Sequence, residues 1–200
     1  MAIKSTERDR ETTEQRLLDT VGGMIRETGF EKVGVNAIAT RSGVSKVLIY
    51  RYFGSVEGLM AAYIRRYDFW INFPQELPAP ERLPAYLKEL LRNYIARLRG
   101  DLTLKRLCRW ELSSDNELVK ELREQREQSG LARIEKICEL TGFPKERMVV
   151  LATFLTASVT YLAMLEEFCP VYNGISIGED AGWERICNGA DFLIDRLLGP

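Results

Sequence analysis

The chain has 200 residues, of which 46% are hydrophobic, and a formal net charge of −1 at pH 7. This length fits one compact domain or a small and a medium one, and the hydrophobic fraction is sufficient for a buried core. The sequence contains no histidine, which excludes Ser-His-Asp and Cys-His catalysis and histidine-ligated metal sites.

The first residues, 1–12, are predicted to form a charged, mobile arm. They contain no apolar segment of the kind found in signal peptides, so we expect a cytoplasmic protein. The first helix is expected from Thr13 to Thr28, because its apolar residues recur on one face. Gly22 and Gly23 lie inside this helix, and each costs up to about 1 kcal/mol relative to Ala. We infer that another helix crosses closely there.

Two short helices are predicted next, Val35–Ser42 after an N-cap at Gly34 and Lys46–Phe53 after an N-cap at Ser45. The Ser45 hydroxyl is expected to accept a hydrogen bond from an amide of the first turn. The connection between the helices is short and contains a glycine, which is typical of the helix-turn-helix unit. The second helix of such a unit enters the major groove of DNA.

The local charge supports this interpretation. Residues 32–56 contain no Asp or Glu, although the chain as a whole is almost neutral. A basic window in a near-neutral chain is expected for a DNA-reading module joined to a second domain. The basic residues of this window are Lys32, Arg41, Lys46 and Arg51.

Several side chains of the unit are candidates for contact with DNA. Lys46 can reach a phosphate or a guanine edge, and Tyr50 can place its hydroxyl on a phosphate. Val47 and Leu48 are expected to contact thymine methyl groups. Tyr50 and Arg51 have the alternative role of packing within the small domain. The predicted DNA-binding residues are Thr40, Arg41, Ser45, Lys46, Val47, Leu48, Tyr50 and Arg51, with Ser42 as a further backbone contact.

A linking helix capped by Ser55 is predicted to follow, and the proline-rich stretch 74–84 ends it. We therefore expect a DNA-binding domain over residues 1–54 and a second domain over residues 55–200. The second domain is expected to be all-helical, with no strand, no repeat and no glycine-rich phosphate loop. Its last two helices are expected at about 145–168 and 181–198, separated by a loop from Pro170 to Asp180.

The stretch Met148–Leu165 carries no charge and has nearly the length of a membrane span. Its four hydroxyl side chains and the acidic residues directly after it favour another interpretation. We expect a helix that is buried on nearly all sides, in the protein interior or in a subunit interface, and no membrane segment.

Four cysteines lie far apart in the chain and fit no zinc-binding spacing. Each stands among apolar residues, which predicts buried, reduced thiols that behave as small hydrophobes. A redox switch is the alternative interpretation. The cysteines are Cys108, Cys138, Cys169 and Cys187.

The first quarter of the chain resembles the DNA-binding region of TetR-type transcriptional repressors. The residues that carry the resemblance are Thr13–Phe30, Ile38-Ala39, Ser42-Gly43-Val44-Ser45, Tyr50-Arg51-Tyr52-Phe53 and Glu57-Gly58-Leu59. The resemblance implies an N-terminal three-helix DNA-binding domain and a C-terminal helical domain that binds a ligand and dimerises. It implies a homodimer formed through the helices at about 145–168 and 181–198, a near-palindromic operator in double-stranded DNA, and no cofactor.

The resemblance also implies a pocket for a small-molecule effector, which aromatic and apolar side chains would enclose. The aromatic character favours a hydrophobic or aromatic effector, although each of these residues has the alternative role of ordinary core. Glu111 is expected to pair with a cationic ligand or with a basic residue of the chain. The predicted ligand-binding residues are Phe69, Trp70, Phe73, Tyr94, Cys108, Trp110, Glu111, Phe154 and Tyr161.

The chain departs from the family pattern at Val56, where a lysine is usual, and at Val47 and Leu48, where small or hydroxyl residues are usual. These changes remove polar contacts to DNA. They leave open a second hypothesis, a helical dimer that binds a small molecule and has a weakened DNA-binding module. A helical enzyme is not expected, because no catalytic motif is present.

Overall fold

The structure, a computed structural model, describes residues 2–72, 76–115 and 117–198, without the side chains of residues 2–8 and 31. The predicted all-α class, with a helix-turn-helix unit followed by a helical remainder, is confirmed. The helices are α1 (Ala2–Thr28), α2 (Val35–Ser42), α3 (Lys46–Phe53), α4 (Val56–Tyr67), α5 (Leu83–Gly100), α6 (Leu102–Ser113), α7 (Glu117–Thr141), α8 (Lys145–Leu165) and α9 (Asp180–Leu198). Two strands, β1 (Val171–Tyr172) and β2 (Ile175–Ser176), lie between α8 and α9.

The chain divides into two compact units, and the division does not follow the order of the sequence. Unit 1 comprises residues 1–72 and 102–125, and unit 2 comprises residues 73–101 and 126–200. Helix α6 and the first part of α7 therefore belong to the same compact unit as the helix-turn-helix. The functional boundary expected between residues 54 and 55 stays a prediction.

Helix α1 begins much earlier than the sequence pattern predicted. It starts at Ala2 instead of Thr13, so the segment expected as a charged, mobile arm is helical. Local pairs accompany this extension: Arg10 donates to Glu14 at 2.6 Å, and the Thr13 hydroxyl donates to the Asp9 carbonyl at 2.7 Å. The Arg10–Glu14 pair, at i,i+4 spacing, adds a few tenths of a kcal/mol. The predicted mobility of residues 1–12 stays a prediction.

Unit 1 has one hydrophobic core to which α1, α2, α3, α4, α6 and α7 all contribute. Its residues on α1 follow the predicted helical face. The later helices add Leu107 and Leu122, which are fully buried in the same cluster. The most deeply buried residues from the first four helices are Leu17, Val21, Ile25, Ile38, Ile49, Leu59 and Ile64.

The close helix crossing predicted at the two glycines of α1 is present. A Cβ atom on Gly22 would lie 2.6 Å from the ring of Tyr63 on α4, which is closer than van der Waals contact allows. A Cβ atom on Gly23 would meet its nearest neighbour at 3.5 Å. Gly22 therefore permits the crossing, whereas Gly23 is not required for it.

Helix α6 is joined to the C-terminal end of α1 by polar contacts. The Arg106 guanidinium donates to the carbonyl oxygens of Ile25 at 2.8 Å and Arg26 at 2.7 Å. The Thr103 hydroxyl, which is fully buried, donates to the Gly22 carbonyl at 3.3 Å. The last carbonyls of a helix lack partners within the helix, and a cation near them is favourable. Arg106 thus caps α1 from another helix.

In unit 2, α5 lies against α8 and α9, and ion pairs follow the contact between α5 and α9. Arg92 donates to Asp191 at 2.7 Å and to Glu184 at 3.3 Å, and Lys88 pairs with Asp195 at 2.5 Å. These groups are partly exposed, so each pair contributes little stability by itself. Together they fix the register of α5 and α9.

The loop expected between the last two helices contains an antiparallel hairpin, so the prediction that the chain has no strand was wrong. Val171 pairs with Ser176 and Tyr172 with Ile175. The turn between them is Asn173-Gly174, with φ values of 49° and 73°. An Asn-Gly pair with two positive φ values is the preferred two-residue hairpin turn. This dipeptide was the sequence signal for the hairpin.

The expectation for α8 also requires correction. The helix ends at Leu165, and only 17% of its most apolar window is buried within the chain, so the chain alone does not cover it on nearly all sides. By length and composition this helix would be able to cross a membrane. Its exposed apolar side chains include Val150, Phe154 and Tyr161.

The buried thiols expected at the four cysteines are found in part. Cys187 is buried, whereas Cys108, Cys138 and Cys169 are half-buried. Burial raises the pKa of the Cys187 thiol above its ordinary value, which lowers the fraction of reactive thiolate at neutral pH.

Substitution of Gly22 by Ala is expected to destabilise the protein by about 1–3 kcal/mol, because the new methyl group collides with the buried ring of Tyr63. The matched control is Gly23→Ala, one residue further along the helix. It is expected to stabilise by up to about 1 kcal/mol, since Ala is a better helix former and the site has room. Urea unfolding of both variants measures the difference, and equal effects would contradict the close crossing.

Candidate nucleic-acid interface

The turn between α2 and α3 is held by Ser42 and Gly43. Gly43 adopts φ 68°, a left-handed conformation that favours glycine. The hydroxyl of Ser42, which is buried, accepts a hydrogen bond from the backbone amide of Val44 at 3.1 Å. Ser45 occupies the predicted N-cap position of α3, but its side chain makes no capping hydrogen bond. The predicted hydroxyl contact at Ser45 was therefore wrong, and Ser42 stabilises the turn instead.

The connection from α3 to α4 is equally tight. The Ser55 hydroxyl accepts from the Gly58 amide at 3.0 Å, which confirms the predicted cap of the linking helix. A Cβ atom on Gly58 would lie 1.9 Å from the carbonyl oxygen of Phe53, the last residue of α3. Only glycine fits at this position without moving backbone. The end of α3 is thus fixed against the first turn of α4.

Helix α3 presents one side to the core and another to solvent. Ile49 is fully buried, whereas Lys46, Val47, Tyr50 and Arg51 are exposed. These four positions share a face because they recur at helical spacing. Within the described residues, neither Lys46 nor Arg51 has an ion-pair partner. The exposed face of α3 therefore carries two positive charges, one phenol and the 73%-exposed side chain of Val47.

Leu48 differs from the expectation that it faces outward. It is half-buried and packs against the core of unit 1. Val56, the first residue of α4, is half-buried and packs against the same core. The apolar character of both positions has a packing role in this chain, because each side chain covers part of the core.

Arg41 and Thr40 lie on the exposed side of α2. Thr40 and Ser45 are open to solvent, as a contact with DNA requires. The Arg41 guanidinium binds both carboxylate oxygens of Glu27 on α1, with Nη1 at 2.6 Å from Oε2. This hydrogen bond lowers the pKa of the Glu27 carboxyl below its ordinary value. A contact of Arg41 with a phosphate would compete with this pair.

One contact to the helix-turn-helix was not predicted from the sequence. The guanidinium of Arg10, on the early part of α1, lies 5.2 Å from the ring centroid of Tyr52 on α3. Cation–π contacts at exposed sites contribute about 0.5–1 kcal/mol. The sequence pattern predicts an arm for this segment, whereas its helical extension places Arg10 beside α3.

Five of the predicted ligand-binding residues belong to unit 1. Phe69 and Trp70 contact each other edge to face, with ring centroids 5.1 Å apart. Trp110 is half-buried at the edge of the core, and its ring centroid lies 6.2 Å from that of Phe30. Glu111, the next residue, is buried. The fifth, Cys108, is half-buried on α6. Their role in binding a ligand stays a prediction.

The remaining candidates belong to unit 2. Tyr94 is buried, and its hydroxyl lies 2.5 Å from the Thr160 hydroxyl. Phe154 is 70% exposed and Tyr161 is 51% exposed, so neither lines an enclosed pocket of the single chain as expected. Both point away from unit 2 because they lie on the face of α8 opposite Val159 and Ala163, which are buried. Phe73 lies outside the described residues.

Comparison with known proteins gives the same picture. Residues 18–63 match the family described as "Bacterial regulatory proteins, tetR family". No curated protein is significantly similar to the chain.

Among solved structures, the chain is similar to Salmonella enterica GusR, with 21% identity, a TM-score of 0.64, and coverage of 94% of this chain and 96% of that chain. It is similar to a TetR transcriptional regulator from Agrobacterium tumefaciens, with 19% identity, a TM-score of 0.64, and coverage of 94% and 95%. It is also similar to a TetR-like transcriptional regulator from Rhodococcus sp. RHA1, with 21% identity, a TM-score of 0.60, and coverage of 92% and 94%.

These identities establish the fold, and the matched segment coincides with the end of α1, the helix-turn-helix and most of α4. Residues 18–63 are therefore similar to the DNA-binding segment of the tetR family of bacterial regulatory proteins, and the whole chain shares the fold of the solved regulators.

Proposed function

We propose that the protein is a homodimeric repressor that leaves a near-palindromic operator when it binds a small hydrophobic or aromatic molecule. The observation that carries the proposal is the exposed face of α3, where Lys46, Val47, Tyr50 and Arg51 stand outside a tightly fixed scaffold. Such a protein acts on DNA in the cytoplasm.

Some of the proposed contacts with DNA supply affinity, and others select the base sequence. Lys46 and Tyr50 would bind phosphates, which supply most of the affinity and make it depend on salt. Val47, with most of its side chain exposed, would contact a thymine methyl group in the major groove. Arg51 is available for a phosphate or a base edge.

The proposed dimer uses the apolar stripe of α8 and α9. On α8, the exposed residues Val150, Phe154, Ala157 and Tyr161 recur at intervals of four, three and four, so they line one face. On α9, the exposed residues Gly189, Phe192, Leu193 and Leu197 form a second stripe, which also includes Arg196, whose guanidinium lies 5.4 Å from the ring centroid of Phe192. A second copy of the chain would cover both stripes. Two recognition helices would then read half-sites about one helical turn apart.

The proposed effector would act by a shift in populations. A ligand that binds better when the two recognition helices are wrongly spaced lowers the affinity for DNA by its differential binding energy. Helix α6 is suited to transmit such a change within unit 1, because it carries Cys108, Trp110 and Glu111 and also holds the end of α1 through Arg106. Helix α4 would transmit it to α3 through the tight junction at Gly58.

A second candidate function is a helical dimer that binds a small molecule and has a weakened DNA-binding module. Two observations favour it: Arg41 is engaged with Glu27, and Leu48 and Val56 pack against the core. These contacts leave fewer polar groups for the DNA backbone.

Selection of bound fragments from random double-stranded DNA by the purified protein separates the two candidates. Enrichment of a near-palindromic sequence, with retardation in a gel shift, is expected for the repressor. Absence of any retardation at low salt would support the second candidate.

Lys46→Ala combined with Tyr50→Phe is expected to weaken operator binding by about 1–3 kcal/mol and to reduce the slope of log K against log salt by about 2, one for each half-site. The reason is the loss of one phosphate charge and one phosphate hydrogen bond per half-site. The matched control is Arg147→Ala, which removes one exposed charge from unit 2 and is expected to leave the affinity unchanged. Fluorescence anisotropy over a salt series measures both, and an unchanged affinity of the double variant would remove these residues from the interface.

Gly189→Leu tests the proposed dimer. A Cβ atom at Gly189 meets nothing within 4 Å in the chain, and Gly costs about 1 kcal/mol relative to Ala in a helix. The chain itself therefore does not require glycine here, whereas a closely packed partner helix does. Leucine is expected to keep the helix content and to weaken the dimer about tenfold or more. Sedimentation equilibrium measures the dissociation constant, with Gly130→Leu, another uncrowded helical glycine, as the control.

A further inference from the structure

The β1–β2 hairpin is anchored firmly at its base. The indole nitrogen of Trp183, a residue that is 2% exposed, donates to the Ile177 carbonyl at 2.7 Å and to the Glu166 carboxylate at 3.0 Å. Arg99 donates to the same carboxylate at 2.9 Å. A Cβ atom on Gly182 would lie 2.0 Å from the Ser176 carbonyl oxygen, so the end of β2 rests directly on the first turn of α9. The base of the hairpin is thus held by buried, directional contacts.

The outer part of the same hairpin is apolar and open to solvent. Phe168, directly before it, is 71% exposed, and Val171 and Tyr172, which form β1, are 51% and 39% exposed. The turn residues Asn173 and Gly174 carry no charge. A rigid element that displays aromatic and β-branched side chains to water loses the hydrophobic free energy of burying them. Such a surface is typical of an interface.

The hairpin is continuous with the apolar stripe of α8. The rings of Tyr172 and Tyr161 contact each other edge to face, with centroids 6.1 Å apart. Tyr161 belongs to the exposed stripe that also contains Val150 and Phe154, and Phe168 follows it after seven residues. One surface therefore runs from the start of α8 to the tip of the hairpin.

From this continuity, we propose that the β1–β2 hairpin is an arm that docks on a second copy of this chain and clamps the dimer. The inference rests on the proposed dimer and adds a contact outside α8 and α9. The occupant is a second copy because a two-fold interface is self-complementary, and the surface that the hairpin extends is the one assigned to the dimer.

The exposed area agrees with this assignment. A fully buried aromatic side chain covers about 150–250 Å². The exposed apolar side chains of α8 and α9 together offer on the order of 600 Å² per chain, which suits a standard interface of about 800 Å² per partner. Phe168, Val171 and Tyr172 add on the order of 300 Å², which brings the apolar area to about 900 Å² per chain, in the upper half of the range of standard interfaces.

The first test compares two sets of variants by sedimentation equilibrium. Val171→Ser with Tyr172→Ser removes the apolar tip and leaves the turn and the anchored base intact, and we expect the dimer dissociation constant to rise about tenfold or more. Leu112→Ser, a 74%-exposed apolar position in unit 1, is the matched control and is expected to leave the constant unchanged. Circular dichroism melting checks that each variant folds.

The second test locates the partner of the arm directly. Tyr172 is replaced by the photoreactive analogue p-benzoylphenylalanine, and peptides crosslinked between mixed light and heavy isotope-labelled chains are identified by mass spectrometry. Crosslinks between a light and a heavy chain, on α8 or α9, are expected. Crosslinks only within one chain, with a dimer that the double serine variant does not weaken, would overturn the arm.

A third variant separates failure of the arm from failure of the proposed dimer. Phe154→Glu places a charge in the centre of the α8 stripe and is expected to dissociate the dimer. If Phe154→Glu dissociates the dimer and the hairpin variants do not, the arm is wrong and the dimer stands. If the unaltered protein is a monomer at every concentration, the proposed dimer itself is wrong, and the arm is wrong with it.

Discussion

The close approach of α4 to α1 at Gly22 is the constraint on which the DNA-binding unit depends. Because Gly22 has no side chain, the ring of Tyr63 lies directly on the backbone of α1. The ring centroids of Tyr63 and Tyr67 lie 4.6 Å apart, and the Tyr67 hydroxyl accepts a hydrogen bond from the side-chain amide of Gln15 on α1 at 3.1 Å. Helix α4 is thereby fixed along α1. Since α3 enters α4 through a junction that only glycine fits, the same contacts set the direction of the recognition helix.

Helix α6 adds a second set of contacts to α1, through polar groups as well as through the core. Arg106 binds the carbonyls of Ile25 and Arg26, and Thr103 binds that of Gly22. Each of these contacts is worth about 0.5–1.5 kcal/mol net, or somewhat more for a charged donor. A hundredfold change in DNA affinity requires about 3 kcal/mol. Loss of these polar contacts would supply a free-energy change of that size, but it would not separate α6 from α1, because Leu107 of α6 is fully buried in the same core as Ile25 of α1.

The sequence predicted the scaffold better than its details, for physical reasons. Hydrophobic periodicity and glycine spacing reveal long helices and the crossing at Gly22, since these features depend on local pattern. Helix α1 was predicted too short, because its first turns lack an apolar face. The hairpin was missed because strands of two residues have no measurable period. The outward position of Phe154 was missed because α8 carries no charge on any side from Met148 to Leu165, and only the tertiary contacts show which face is covered.

The exposed apolar face of α8 is better suited to contact with protein than to contact with lipid. The opposite face of the helix is occupied by protein, since Val159 and Ala163 are buried in unit 2. The adjoining stripe belongs to α9, whose other side holds the charged pairs Arg92–Asp191 and Lys88–Asp195. A bilayer would have to accept these charges at the depth of the stripe, which is costly. A second copy, as proposed above, would cover the stripes and leave the charged pairs in water.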